Sequence, residues 1–179
     1  MISLRYKYNS NPQLELNTKK IYKNGLGFKS NGFWYAYGKK WVKYISANYS
    51  DFIKDKPYKY NISINTQSYT KNLNNIKNNK ILILNSMKDI DNFMVKYVVV
   101  VKVKNKNNFS INDKYNFMHL LNWNKVSNDF SGIEIRYLPT KKFIDNYETP
   151  KYLWLDILDA PSGCIWNFTN IHITITKNN

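Results

Sequence analysis

Cysteine occurs once in this chain, at Cys164, so no internal disulfide can form. Arginine occurs twice, at Arg5 and Arg136, and glutamate three times, at Glu15, Glu134 and Glu148. Arginine is the side chain that reads base edges through two parallel hydrogen bonds, and its scarcity argues against a sequence-specific DNA reader. Long apolar runs are missing as well. The longest clean one is Tyr97–Val101, and the opening residues MISLRYKYN hold no apolar signal core. Neither a signal peptide nor a membrane span is therefore expected, and the setting read from this is reducing, intracellular and without a membrane partner.

Metal and phosphate-loop chemistry lack their usual spacings. His119 and His172 stand far apart with no HxxxH or CxxC pattern, so no metal is expected. Cys164, flanked by Gly163 and Ile165-Trp166, reads as a small buried hydrophobe before it reads as a nucleophile. Gly25-Leu26-Gly27 has neither the third glycine nor the Lys-Ser/Thr of a phosphate cradle, and fits a turn before a strand.

What is present is aromatic and basic. Aromatic residues make up 16% of 179 residues and hydrophobic ones 43%, which a folded single domain needs and a disordered tail lacks. Lys and Arg total 27 against 12 acids, a net charge of +15 that favours polyanionic partners, nucleic acid among them. A drift toward A/T-rich codons would raise Glu together with Lys. With three glutamates in the chain, drift alone does not account for the positive field.

Alternation and composition predict strands at Ile2–Tyr8, Phe33–Tyr37, Tyr58–Ile64, Ile81–Leu84, Gly132–Tyr137, Tyr152–Leu158 and Ile171–Thr176. Helical spacing predicts a helix over Lys39–Ala47. A second is expected from a Ser86 cap with Ile90, Phe93, Met94 and Tyr97 on one face, giving way to strand at Val98–Val103. A third, capped at Ser110, would carry Tyr115, Met118 and Leu121 on a stripe. Residues 65–80 and Lys104–Asn108 read as polar loops. The order shows no βαβ regularity and no repeat, so the expected fold is one α+β domain over residues 1–179, with mixed or antiparallel sheets and about three short helices.

Two constellations carry chemistry. Aromatics interleave with lysines at Tyr6-Lys7-Tyr8, along Trp34–Tyr44 and at Tyr58-Lys59-Tyr60. That is the make-up of a stacking platform with an electrostatic groove, or simply of half-exposed strands in a lysine-rich chain. The second is the scarce acids Glu134, Asp156 and Asp159, set among aromatic residues. Alternating with Trp154 and Leu158, Asp156 would point inward, where an ionised acid is costly unless used or paired. Such acids either stabilise an oxocarbenium-like centre or pair with Arg136 or a lysine, and Asp159 also suits a turn before Ala160-Pro161.

Three segments carry a resemblance. They are Leu4-Arg5-Tyr6 followed by Lys29-Ser30-Asn31-Gly32-Phe33-Trp34-Tyr35 and Trp41, then Trp123–Ile135 (WNKVSNDFSGIEI), then Leu155–Trp166 (LDILDAPSGCIW). Together they resemble uncharacterised proteins of phages and large DNA viruses that carry W-x-x-V-x-x-D-[FY]-x-G-I-E-I and W-D-x-x-S-G-C-I-W segments. More distantly, the layout is similar to the ADP-ribosyltransferase fold. That resemblance implies a viral or mobile-element protein acting on NAD and a macromolecular target in the host cytoplasm or the virion. Arg5 would face the cofactor, Trp34 or Tyr35 would stack on nicotinamide, and Glu134 or Asp156 would polarise the ribose. The family's Glu-x-Glu is absent here. The alternative from a different class is a non-enzymatic nucleic-acid-associated or packaging protein that neutralises phosphates with lysines.

Overall fold

The computed structural model describes residues 5–48, 50–56, 58–74, 79–102, 117–140 and 150–177. Their architecture is α+β, with an eight-stranded mixed sheet, a three-stranded antiparallel sheet and short helices. The chain enters the large sheet at β1 (Arg5–Asn9), and β2 (Leu26–Gly27) belongs to the small one. β3 (Phe33–Tyr37) leads into α1 (Lys40–Asn48) and α2 (Ser50–Asp55), then β4 (Tyr58–Ile64), β5 (Tyr69–Thr70) and β6 (Ile81–Leu84). α3 (Met87–Tyr97) runs directly into β7 (Val98–Lys102), and β8 (Phe117–Asn122) into α4 (Trp123–Asp129). β9 (Gly132–Ile135), α5 (Leu153–Asp156), β10 (Ser162–Ile165) and β11 (Ile173–Lys177) complete the order.

The large sheet runs β11-β4-β1-β3-β10-β9-β6-β5, and the small one β2-β8-β7. β6 pairs in parallel with β9 and with β5, while the other pairings are antiparallel. Both faces of the large sheet are covered, which is why β6, Ile81-Leu82-Ile83-Leu84, is apolar at every position and buried throughout. One face sets Leu82, Leu84, Ile133, Ile135 and Cys164 against α3, α4 and Leu121 of β8. There the Phe93, Trp123, Trp154 and Trp166 rings meet at centroid distances from 5.8 to 6.3 Å. The opposite face gathers Phe33, Tyr35, Ile62, Ile64, Ile81 and Ile165 with Phe168 and Ile171.

The expected helix start at Ser86 is present: its hydroxyl accepts a hydrogen bond from the Asp89 backbone, and Ile90, Phe93, Met94 and Tyr97 are the buried face. Three other expectations are corrected. Met118 and Leu121 lie on β8, not on a helix, because five consecutive residues of that strand register with β7 from Val98↔Leu121 to Lys102↔Phe117. Ser110 and Tyr115, like Lys104–Asn108, fall outside the described residues. Tyr152–Leu158 is a 3₁₀ turn (Pro150–Tyr152) followed by α5, not a strand. Trp154, Leu155 and Leu158 are buried while Asp156 is exposed, which is a helical distribution and not an alternating one. Finally, the loop expected at 65–80 contains a 3₁₀ turn (Thr66–Ser68) and β5. No helix among the described residues is long and apolar enough to cross a membrane.

Candidate functional site

Sheet register decides which side chains meet. Adjacent residues of a strand point to opposite faces, and the row Tyr35, Gly163, Glu134, Ile83 crosses four strands in register. Gly163 has no side chain, and the Tyr35 ring crosses that gap; a Cβ on Gly163 would run into the ring's Cζ and hydroxyl. The Tyr35 hydroxyl thereby donates to Glu134 Oε2 at 2.8 Å. Arg5 donates to the same carboxylate through Nε at 2.7 Å and Nη2 at 3.1 Å. Arg136 donates through Nε to Oε1 at 2.7 Å, and the Tyr69 hydroxyl donates to Oε2 at 3.2 Å. Both guanidinium groups lie 5.1 to 5.6 Å from the ring centres of Tyr37 and Tyr69.

Glu134 is fully buried, and side-chain exposure is 6% for Arg5 and 19% for Arg136. Burial by itself would raise the carboxyl pKa; the hydrogen bond and charge of Arg5, with the charge of Arg136, hold it below its ordinary value. Burial likewise opposes the charge on Arg5, but Glu134 outweighs it and the pKa is raised. Burial and the Glu134 charge push both Tyr35 and Tyr69 upward, so each stays a neutral donor. The assembly is an Arg–Glu–Arg triad capped by phenols, and every oxygen of its acid is engaged.

Of the residues singled out from the sequence, Arg5, Tyr35 and Glu134 therefore come together. Trp34 and Asp156 do not join them. Trp34, one residue along β3, pairs with Cys164 and sits on the opposite face of the sheet. Asp156 does not point inward: the turn of α5 leaves it exposed, beside Asp159, in a small pocket of about 230 Å³ that Tyr44, Leu138 and Pro139 also line.

Trp34 instead lines a cleft of about 300 Å³. Its walls bring together residues distant in sequence: Tyr6, Lys7 and Tyr8 of β1, Lys29, Trp34, Trp41 of α1, and Lys56. Leu158, Asp159 and Ser162 close the other side. The Tyr8 and Trp41 rings lie 5.3 Å apart and tilted by 41°. Lys29 Nζ stands 4.6 Å from the Trp34 ring centre, and the Lys59 ammonium 4.1 Å from that of Tyr6. Lys7 Nζ donates to the Trp34 carbonyl at 3.0 Å; burial, together with the nearby charges of Lys56 and Lys29, lowers its pKa. A concentration of cations over aromatic faces is what phosphates and planar rings bind.

Sequence reasoning found Tyr6-Lys7-Tyr8 and Trp34 but not their meeting with Lys29, Lys56 and Asp159, which lie in loops without periodicity. It also missed Tyr37 and Tyr69 at the triad, although Arg136 as a partner for an acid was legible. Cys164 is fully buried, and that burial pushes its thiol up to about 12, against weaker downward pulls from Ser30, Lys29 and Lys7. His119 is on β8 and His172 is exposed just before β11. Among the described residues no group of three or more His, Cys, Asp or Glu gathers to hold a metal. No family model, curated protein or solved structure matches this chain.

Proposed function

We propose that this domain is a non-enzymatic binder of single-stranded nucleic acid, acting in the host cytoplasm or the virion. Lysines take the phosphates, and the rings of Tyr8, Trp34 and Trp41 take the bases. The observation that carries the reading is the convergence of Lys7, Lys29 and Lys56 with those rings on one cleft, from elements spread over fifty residues of chain. Base stacking of this kind tolerates any sequence, in keeping with two arginines that are both engaged elsewhere.

The NAD reading asks Glu134 to polarise a ribose. Its favouring observation is that Arg5, Tyr35 and Glu134 do converge. Against it stand the complete burial of the carboxylate and its pairing with both arginines, which leave it no free face for a substrate. Freeing that acid would abandon the buried guanidinium of Arg5 and the part-buried one of Arg136, a cost of several kcal/mol. Binding is thus the better supported chemistry.

Anisotropy of a labelled 12-nucleotide oligouridine, titrated over a range of salt concentrations, tests it. Three lysines neutralising three phosphates give a slope of log K on log salt of about −2, and Lys29→Ala should lower its magnitude by about 0.7. Trp41→Ala should weaken binding by about 1–3 kcal/mol at every salt concentration. Absence of binding at low salt, or a slope indifferent to Lys29, would refute the reading. Displacement of the oligonucleotide by NAD with release of nicotinamide would instead favour the enzyme.

A further inference from the structure

An acid in a phosphate-binding cleft is a cost, because it repels the ligand that the lysines attract. Asp159 lines the cleft together with Lys7, Lys29 and Lys56, yet among the described residues it forms an ion pair with none of them. Its position is fixed from both sides. Leu158 before it and Ala160 after it are buried, at 6% and 3% exposure. The Leu158 backbone donates to the Leu155 carbonyl at 3.0 Å, and the Ser162 hydroxyl donates to the Ala160 carbonyl at 2.8 Å. The Pro161 carbonyl in turn accepts from the Tyr37 backbone at 2.9 Å. Asp159 is thus an exposed residue held on an anchored turn, lining the same cleft as Tyr8, Trp34 and Trp41.

An ionised carboxylate only accepts hydrogen bonds, and it accepts two in parallel. A base stacked in the cleft satisfies it by presenting two adjacent donors. Guanine does so through N1–H and N2–H₂. Adenine and cytosine each set an acceptor nitrogen beside their amino group, and uracil flanks its single N–H with two carbonyls, so each would turn a lone pair toward the acid. We propose that Asp159 makes the cleft selective for guanine within single strands, its two oxygens accepting from guanine N1–H and N2–H₂. This rests on the nucleic-acid reading above and adds a base preference to it.

Four tetranucleotides that differ in one base, UUGU, UUAU, UUCU and UUUU, carry equal charge and separate preference from phosphate attraction. Their affinities for the full chain are measured by competition at one fixed salt concentration, beside UUIU, in which inosine lacks the N2 amino group. UUGU should bind about tenfold more tightly than the other three standard sequences, with UUIU between. Asp159→Asn should abolish that preference by replacing one acceptor with a donor, so that the four standard tetranucleotides bind alike. Asp159 is exposed, so the substitution leaves the fold intact, which circular dichroism checks. Equal affinities in the unaltered protein, or a guanine preference that survives Asp159→Asn, would overturn the proposal and leave the binding reading standing. Failure of every tetranucleotide to bind would overturn both.

Discussion

Glu134→Gln is the most informative single substitution, because it preserves shape and removes one charge. The carboxylate receives two bonds from Arg5, one from Arg136 and one each from the Tyr35 and Tyr69 hydroxyls, at 2.7 to 3.2 Å. An amide keeps one acceptor oxygen and turns an NH₂ toward groups that are themselves donors. Arg5, 6% exposed, loses its counter-charge in a place water does not reach. Breaking a buried pair in this way costs about 3–5 kcal/mol, against a total stability of about 5–15 kcal/mol. With a urea m-value of about 2 kcal/mol/M, the unfolding midpoint should fall by about 2 M. The pH dependence supplies a second readout. The folded pKa of Glu134 lies below its unfolded value of about 4.3, so its contribution is complete above that value and disappears as pH falls through the folded one. The gap between the two proteins should therefore be full at pH 7 and close in acid. Adding Arg5→Met to Glu134→Gln should recover part of the loss, since the abandoned charge goes with it. A midpoint shift worth less than about 1 kcal/mol at pH 7, or a gap that persists unchanged into acid, would refute the argument that charge pairing holds this cluster.

Two further outcomes follow from packing. Gly163→Ala places a Cβ inside the Tyr35 ring position and should destabilise the protein by about 1–3 kcal/mol in urea unfolding; an unchanged midpoint would refute the close packing of that ring. Cys164, buried and with its thiol pushed up to about 12, should resist alkylation by iodoacetamide at pH 8 in the native protein and react once unfolded; rapid native labelling would place the thiol at the surface.

Where local signals and tertiary packing agree, the sequence was readable. The Ser86 cap, the apolar stripe of α3 and the turn to β-branched residues at Val98 each act within a few residues, and each appears in the fold. The alternation of YKYNISI likewise survives as β4. The misreadings have tertiary causes. FMHLLN is apolar at both helical and alternating spacings, and only pairing with β7 decides for a strand. No strand was expected at SGCI, whose Ser and Gly have poor strand propensity, yet it lies near the middle of the large sheet, where Gly163 leaves room for the Tyr35 ring to reach Glu134. In the candidate site, Arg5, Tyr35 and Glu134 were singled out for a shared role, and they do share one geometry. Asp156 was placed by a strand pattern that a helical turn replaces.

The division between the two kinds of cation joins stability to function. A guanidinium is planar, presents several donors in a rigid fork and is weakly hydrated, so it suits a buried carboxylate; an ammonium is a mobile, strongly hydrated point charge. This chain places both of its arginines on Glu134, inside the sheet, and leaves the cleft and the exposed face of α1 to Lys7, Lys29, Lys56, Lys39, Lys40 and Lys43. Arg5, Tyr35, Tyr69 and Arg136 tie β1, β3, β5 and the end of β9 to one acid. Under the binding reading, the lysines would meet phosphates as point charges without reading bases. Selectivity in such a cleft would then come from a group of the opposite sign, and Asp159, exposed and among the described residues in no ion pair, lines that cleft.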